Sequence, residues 1–192
     1  MSYTKVAMFG SGKGSNIEAI LDKADEGKLE GIIPSVIISN NKSSDVLRIA
    51  ESRDIPGYWI PGKDNEEIIL GALEKHDVNL IILAGYMKKL EEDIISQYTA
   101  LNIHPSLLPK YGGKGMYGMK VHEAVIEAGE KESGATVHIA DNEYDRGRIL
   151  AQYKVPVFEK DTPETLSERV KEVEHILYPQ TLRDIQHGII DI

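Results

Sequence analysis

The sequence predicts an α/β fold: a doubly wound, mostly parallel sheet of Rossmann-like type, with an antiparallel strand region and a long helix toward the C-terminus. Three observations carry that expectation. Short aliphatic runs alternate with helix-like runs through the first half of the chain, the pattern of a parallel sheet with helices on both faces. One run, Asn79–Ala84 (NLIILA), is almost unbroken aliphatic, as a strand buried on both faces requires. In the second half two strand-like runs follow one another with only a turn between them, which suits an antiparallel edge. The chain has 192 residues, 41% hydrophobic and 28% charged, and reads as a single domain spanning 1–192.

In chain order, Lys5–Phe9 is a short apolar strand. Ser15–Glu26 carries Ile17, Ile20, Leu21 and Ala24 at helical spacing. Ile32–Ser39 is a second strand, with Pro34 near its start, and Ser43 or Ser44 caps a helix running to Arg53. Gly57–Ile60 reads as a short strand and Asp64–Lys75 as a helix with Asp64 or Asn65 at its cap. The NLIILA strand follows, then a short helix over Glu91–Tyr98 and a strand over Ala100–His104. Pro105–Lys120 is a long Gly-rich loop, of a length uncommon unless it serves a function. Val121–Ala128 is helical. Gly134–Ala140 and Ile149–Val157 are strands joined by the acidic turn Asp141–Gly147, too long for a tight hairpin. Thr162 opens the last helix, with Pro163 at its first position and Glu164 and Glu168 early in it, and the pattern runs through Leu182. Ligands of such sheets sit beyond the carboxyl ends of the strands, where the Gly10, Gly85 and Pro105 loops gather.

Composition excludes several classes. There is no cysteine, hence no disulfide, thiolate metal site or cysteine nucleophile. No apolar run approaches the roughly 20 residues that span a bilayer, and the first residues lack a signal-peptide layout. No membrane association and a cytoplasmic location are therefore expected. With 22 Lys+Arg against 31 Asp+Glu the net charge is −9. An acidic chain without a basic stripe is a poor nucleic-acid binder, and an anionic small ligand would need a local pocket of amides and cations.

Asn102-Ile103-His104-Pro105 holds the sharpest chemical signal. On an extended Ala100–His104, Asn102 and His104 point to the same face, and Pro105 ends the pairing. An amide and an imidazole at a strand end suit a donor pair aimed at a carbonyl oxygen that becomes negative. Five other histidines compete: His76 and His187 stand in charged surface contexts, and none forms a His-Glu-x-x-His zinc spacing, so no metal is expected. Only His104 shares its face with Asn102. Asp145 is a candidate to raise the imidazole pKa or hold a water, against the bland reading of a solvated turn. The other loop of interest is Gly10-Ser11-Gly12-Lys13-Gly14-Ser15-Asn16. It fails as a dinucleotide fingerprint, because Ser15 stands where glycine is wanted, and as a P-loop, because Gly14 separates Lys13 from Ser15. A monophosphate cradle survives, and so does a plain tight turn with Ser15 as helix cap. No Gly-x-Ser-x-Gly elbow supports a serine triad.

The chain resembles the phosphoribosylglycinamide formyltransferase family from Val6 to about Leu182. The markers are Gly12–Asn16, Leu83-Ala84-Gly85-Tyr86-Met87, Asn102–Pro109 (NIHPSLLP), Gly134–His138 and Tyr144-Asp145-Arg146-Gly147 followed by Ile149. The resemblance implies formyl transfer from 10-formyltetrahydrofolate, a co-substrate, to the amine of glycinamide ribonucleotide. Asn102 would donate to the tetrahedral oxyanion. His104, as imidazolium, would donate to it or move the proton, and Asp145 would support the charged ring. The substrate phosphate would sit on Gly14, Ser15 and Asn16, and Glu174 would contact the substrate. The folate ring would lie against Met87, Lys88, Lys89 and Leu90 and the turn beginning at Ala140 and Asp141. The sequence departs from the family at Lys88, where arginine is usual; at Trp59–Glu67, which is shortened and offers only Lys63 for a folate-contacting arginine; and at Tyr111–Lys120, which is either a lid or a filler of the space left. The related formyl-folate hydrolases share the Asn-x-His and Asp elements but carry an added N-terminal domain. Methionyl-tRNA and sugar-nucleotide formyltransferases carry further domains that a chain ending at Ile192 does not show. A non-catalytic phosphometabolite-binding module would keep the Gly10 loop but would not need Asn102, His104 and Asp145 together. Monomer and homodimer both remain open.

Overall fold

The computed structural model describes residues 3–61 and 65–192, so Lys63 and the proposed cap Asp64 lie outside the described residues. The strands are β1 (Thr4–Phe9), β2 (Ile32–Ser39), β3 (Gly57–Trp59), β4 (Leu80–Leu83), β5 (Ala100–His104), β6 (Glu132–Ile139) and β7 (Ile149–Pro156). The helices are α1 (Ser15–Asp25), α2 (Asp45–Ser52), α3 (Glu66–Lys75), α4 (Glu92–Ile95), α5 (Met119–Glu127) and α6 (Pro163–Gln186). One sheet results, in the order β3-β2-β1-β4-β5-β6-β7. Strands β1 to β5 pair in parallel, and β6 is antiparallel to both β5 and β7. The strand order reverses between β1 and β4, which opens a crevice at their carboxyl ends.

Alternation along the central strands explains why both faces are covered. Val6 and Met8 pack on one side with Leu80 and Ile82, beneath α1, α2, α5 and α6. Ala7 and Phe9 pack on the other with Ile81 and Leu83, beneath α3 and α4. Val6, Ala7, Met8 and Phe9 are all fully buried, and a large apolar side chain so placed contributes about 2 kcal/mol. Strand β2 accommodates Pro34 through a register shift: Val6 faces Pro34 but Ala7 faces Val36, leaving Ser35 as the extra residue. Because β3 pairs only with Ile37–Ser39, the missing N–H of Pro34 deprives no neighbour on that side.

Several boundaries differ from the expectation. The N-cap of α1 is Gly14, with no side-chain cap, so Ser15 is the first helical residue and not the cap. Ser44, not Ser43, caps α2 by accepting from the Val46 N–H. Strand β6 starts at Glu132, two residues before the apolar pattern, because Glu132 and Ser133 pair with Pro156 and Val155 at the edge. Helix α6 continues past Leu182 to Gln186 with Pro179 inside it. Its buried Tyr178 donates to the carbonyls of Leu83 (3.1 Å) and Leu101 (2.9 Å), tying the helix to the ends of β4 and β5.

Candidate active site

The Gly10–Asn16 loop leaves β1 at the crevice and is fastened on three sides. Ser11 N–H donates to the Gly85 carbonyl at 3.1 Å, Met87 N–H donates to Ser11 Oγ at 2.8 Å, and Ser44 Oγ donates to the Gly12 carbonyl at 2.7 Å. Gly14 has φ 76°, and a Cβ there would come within 2.6 Å of Ile49 Cδ1. The glycine is thus required by both conformation and packing. The first N–H groups of α1 have no side-chain cap, the arrangement that receives an anion.

Strand β5 delivers Asn102 and His104 to one cleft of about 620 Å³. Ser15, Asn16, Asp145 and Glu174 line the same cleft, so residues from the start of α1, β5, the β6–β7 turn and α6 meet there. His104 is nearly fully buried. Its Nε2 lies 2.8 Å from the Tyr111 carbonyl, which can only accept, so Nε2 carries the hydrogen. Nδ1 then faces Asp145 Oδ2 at 3.5 Å. Burial pushes the imidazole below its ordinary pKa, against the opposing pull of Asp145 and the Tyr111 carbonyl. Burial thus favours the neutral ring at rest, and the imidazolium that the resemblance implies belongs to the reaction. For Asp145, burial would raise the carboxyl, but His138, His104 and the Gly113 N–H (2.8 Å) outweigh it and hold the group below the ordinary range. Tyr111 (φ 55°) and Asp145 (φ 57°) both adopt the left-handed region, at a cost of about 1 kcal/mol each.

The residue that sequence reasoning passed over is His138. Antiparallel register sets it directly across from Asn102. Its Nδ1 lies 2.9 Å from the Ile139 carbonyl and so carries the hydrogen, leaving Nε2 to accept from Asn102 Nδ2 at 3.1 Å. This contact decides which way the amide faces and leaves the second Nδ2 hydrogen for another acceptor. Asp145 Oδ1 lies 3.5 Å from the same Nε2. The only signal in the sequence was the alternation Val137-His138-Ile139; the register that pairs it with Asn102 was absent.

Glu174 is buried and its Oε2 accepts from Asn16 Nδ2 at 3.0 Å. Burial pushes its carboxyl up to about 7, against the weaker pulls of Asn16 and Lys171. Among the described residues Asn16 Oδ1 and His122 Nδ1 are buried without a partner, and both residues line the cleft. Burial and the neighbouring His104 push His122 down to about 4, so this ring too is neutral. A narrower pocket adjoins the cleft across Asn102 and Asp145. Leu83, Leu90 and Ile95 give it apolar lining, and Lys88, Lys89, Ala140 and Asp141 line it as well. Met87 lines the larger cleft instead, and Lys88 lines both. Among the described residues no group of three or more His, Asp or Glu could hold a metal ion, and no helix is long and apolar enough to cross a membrane.

Residues 4–182 match the formyl transferase family. A phosphoribosylglycinamide formyltransferase of Haemophilus influenzae is 36% identical over 192 residues, covering 96% of this chain and 88% of that protein. The chloroplastic phosphoribosylglycinamide formyltransferases of Arabidopsis thaliana and Vigna unguiculata are 40% and 41% identical over 93% of this chain, which spans 64% and 59% of their lengths. Among solved structures, phosphoribosylglycinamide formyltransferase from Anaplasma phagocytophilum superposes with a TM-score of 0.89 at 35% identity, covering 100% of this chain and 91% of that one.

Proposed function

This chain belongs to the formyl transferase family, and from that premise we propose that it transfers the formyl group of 10-formyltetrahydrofolate to the amine of glycinamide ribonucleotide, a step of purine biosynthesis. The observation that carries the reading is the convergence of Asn102, His104 and Asp145 on one wall of a cleft that also holds Ser15, Asn16 and Glu174. The names of the relatives support the choice of acceptor.

In this reading the acceptor phosphate rests on the free N–H groups at Gly14, Ser15 and Asn16, and Glu174 takes hydroxyl hydrogens of the substrate. That anchoring aims the amine at His104 and Asn102. The amine nitrogen bonds to the formyl carbon, and the carbonyl oxygen becomes an oxyanion that accepts from the second Asn102 Nδ2 hydrogen. Neutral His104 takes the amine proton at Nδ1, directly or through water. Asp145, 3.5 Å away, stabilises the imidazolium so formed. Collapse of the tetrahedral intermediate expels the folate nitrogen, which takes a proton relayed from His104. Apolar contact with Leu83, Leu90 and Ile95 and main-chain groups of 88–90 and 140–141 would hold the folate ring. The residues of the narrow pocket fit such a ligand, having apolar walls and a few polar groups at the reacting end. We take the cytoplasm as the proposed compartment; the two plant relatives carry "chloroplastic" in their names.

The test is incubation with glycinamide ribonucleotide and a 10-formylfolate. Released folate should appear only when the amine is present, matched by formylated product. Formate release without the amine would assign the chain to the hydrolases instead.

A further inference from the structure

The Tyr111–Lys120 segment carries two lysines, Lys114 and Lys120. Lys110, just before it, and Lys120 at its end have engaged side chains: Lys110 pairs with Glu130 at 2.8 Å, and Lys120 lies over the Tyr117 ring at 5.0 Å. Lys114 forms no ion pair among the described residues, although the chain carries a net charge of −9. Its side chain is exposed and lines the cleft shared by Asn102, His104 and Asp145.

The backbone leading to Lys114 is pinned to the reacting groups. The Tyr111 carbonyl accepts from His104 Nε2, and the Gly113 N–H donates to Asp145 Oδ2. Gly113 (φ 97°) and Gly115 (φ 91°) flank the lysine in the left-handed region, turning the chain on either side of it. An ammonium held on an anchored loop loses less freedom on meeting a ligand than one on a loose loop. Other walls of the cleft carry Ser15 and Asn16 and a second exposed lysine, Lys171. The proposed acceptor has one strongly anionic group, its phosphate.

We propose that Lys114 is a specificity residue for the acceptor, its ammonium contacting the phosphate held at Gly14–Asn16 so that the anion is gripped from two walls of the cleft. This rests on the acceptor reading above. The test compares the ribonucleotide with its dephosphorylated riboside in the wild-type protein, Lys114→Gln and Lys114→Arg. With the ribonucleotide, Lys114→Gln should raise KM about tenfold with kcat within about twofold. With the riboside, the same substitution should change kcat/KM by less than about twofold, because the group the lysine meets is absent. Lys114→Arg should recover most of the ribonucleotide KM, and the salt dependence of kcat/KM should flatten in Lys114→Gln. Equal losses on both substrates, or none on either, would overturn the proposal. A wild-type protein that formylates neither substrate would overturn the acceptor reading beneath it.

Discussion

Replacing Glu174 by Gln separates what this residue costs the fold from what it gives the site. The carboxyl is nine-tenths buried and pushed from the ordinary 4.5 up to about 7, with burial the main cause. Its folded-state pKa lies above the unfolded one, so the folded protein holds the extra proton and stability falls as pH rises from about 4.5 through 7. The gap corresponds to about 3 kcal/mol of lost stability once the group is ionised. Gln keeps an oxygen to accept from Asn16 Nδ2 and removes the titration. Urea unfolding of both proteins should therefore give similar stabilities at pH 5. At pH 8.5 the variant should be more stable by about 3 kcal/mol. The same variant should bind the ribonucleotide more weakly, with KM raised about tenfold, and its kcat/KM profile should lose an acid limb near pH 7. A stability difference that stays flat across this range would refute the burial argument.

The other perturbations act through single contacts. His138→Ala removes the acceptor that fixes the Asn102 amide, so kcat should fall about tenfold while KM for the amine changes little, measured by steady-state kinetics. Tyr178→Phe leaves the Leu83 and Leu101 carbonyls without their buried donor and should lower stability by about 1–2 kcal/mol in urea unfolding.

The parallel half of the fold was legible because its strands are buried on both faces and so are written as aliphatic runs, as in Leu80–Leu83. The first two residues of β6 were not, because Glu132 and Ser133 join the sheet through backbone pairing at an edge, where side chains need not be apolar. Asn102 and His104 could be placed together from strand alternation alone. Their partners could not. His138 meets Asn102 through the register of an antiparallel pair, and the Tyr111 carbonyl reaches His104 through a left-handed turn of the Gly-rich loop. Neither relation has a local pattern. The sequence offered Asp145 as a carboxylate partner for His104, but burial, which lowers the imidazole pKa against that pull, is a property of the packed cleft.

The central claim is that Asn102 and His104 carry the formyl transfer. Its most direct test is kcat for formylation of glycinamide ribonucleotide by the wild-type protein, Asn102→Ala and His104→Ala, each checked for intact folding by its unfolding transition. Losing one donor to the oxyanion should lower kcat by about 10²–10³, with a comparable or larger loss at His104. Turnover by both folded variants within about threefold of wild type would contradict the account, since removal of a group acting in the transition state must raise the barrier.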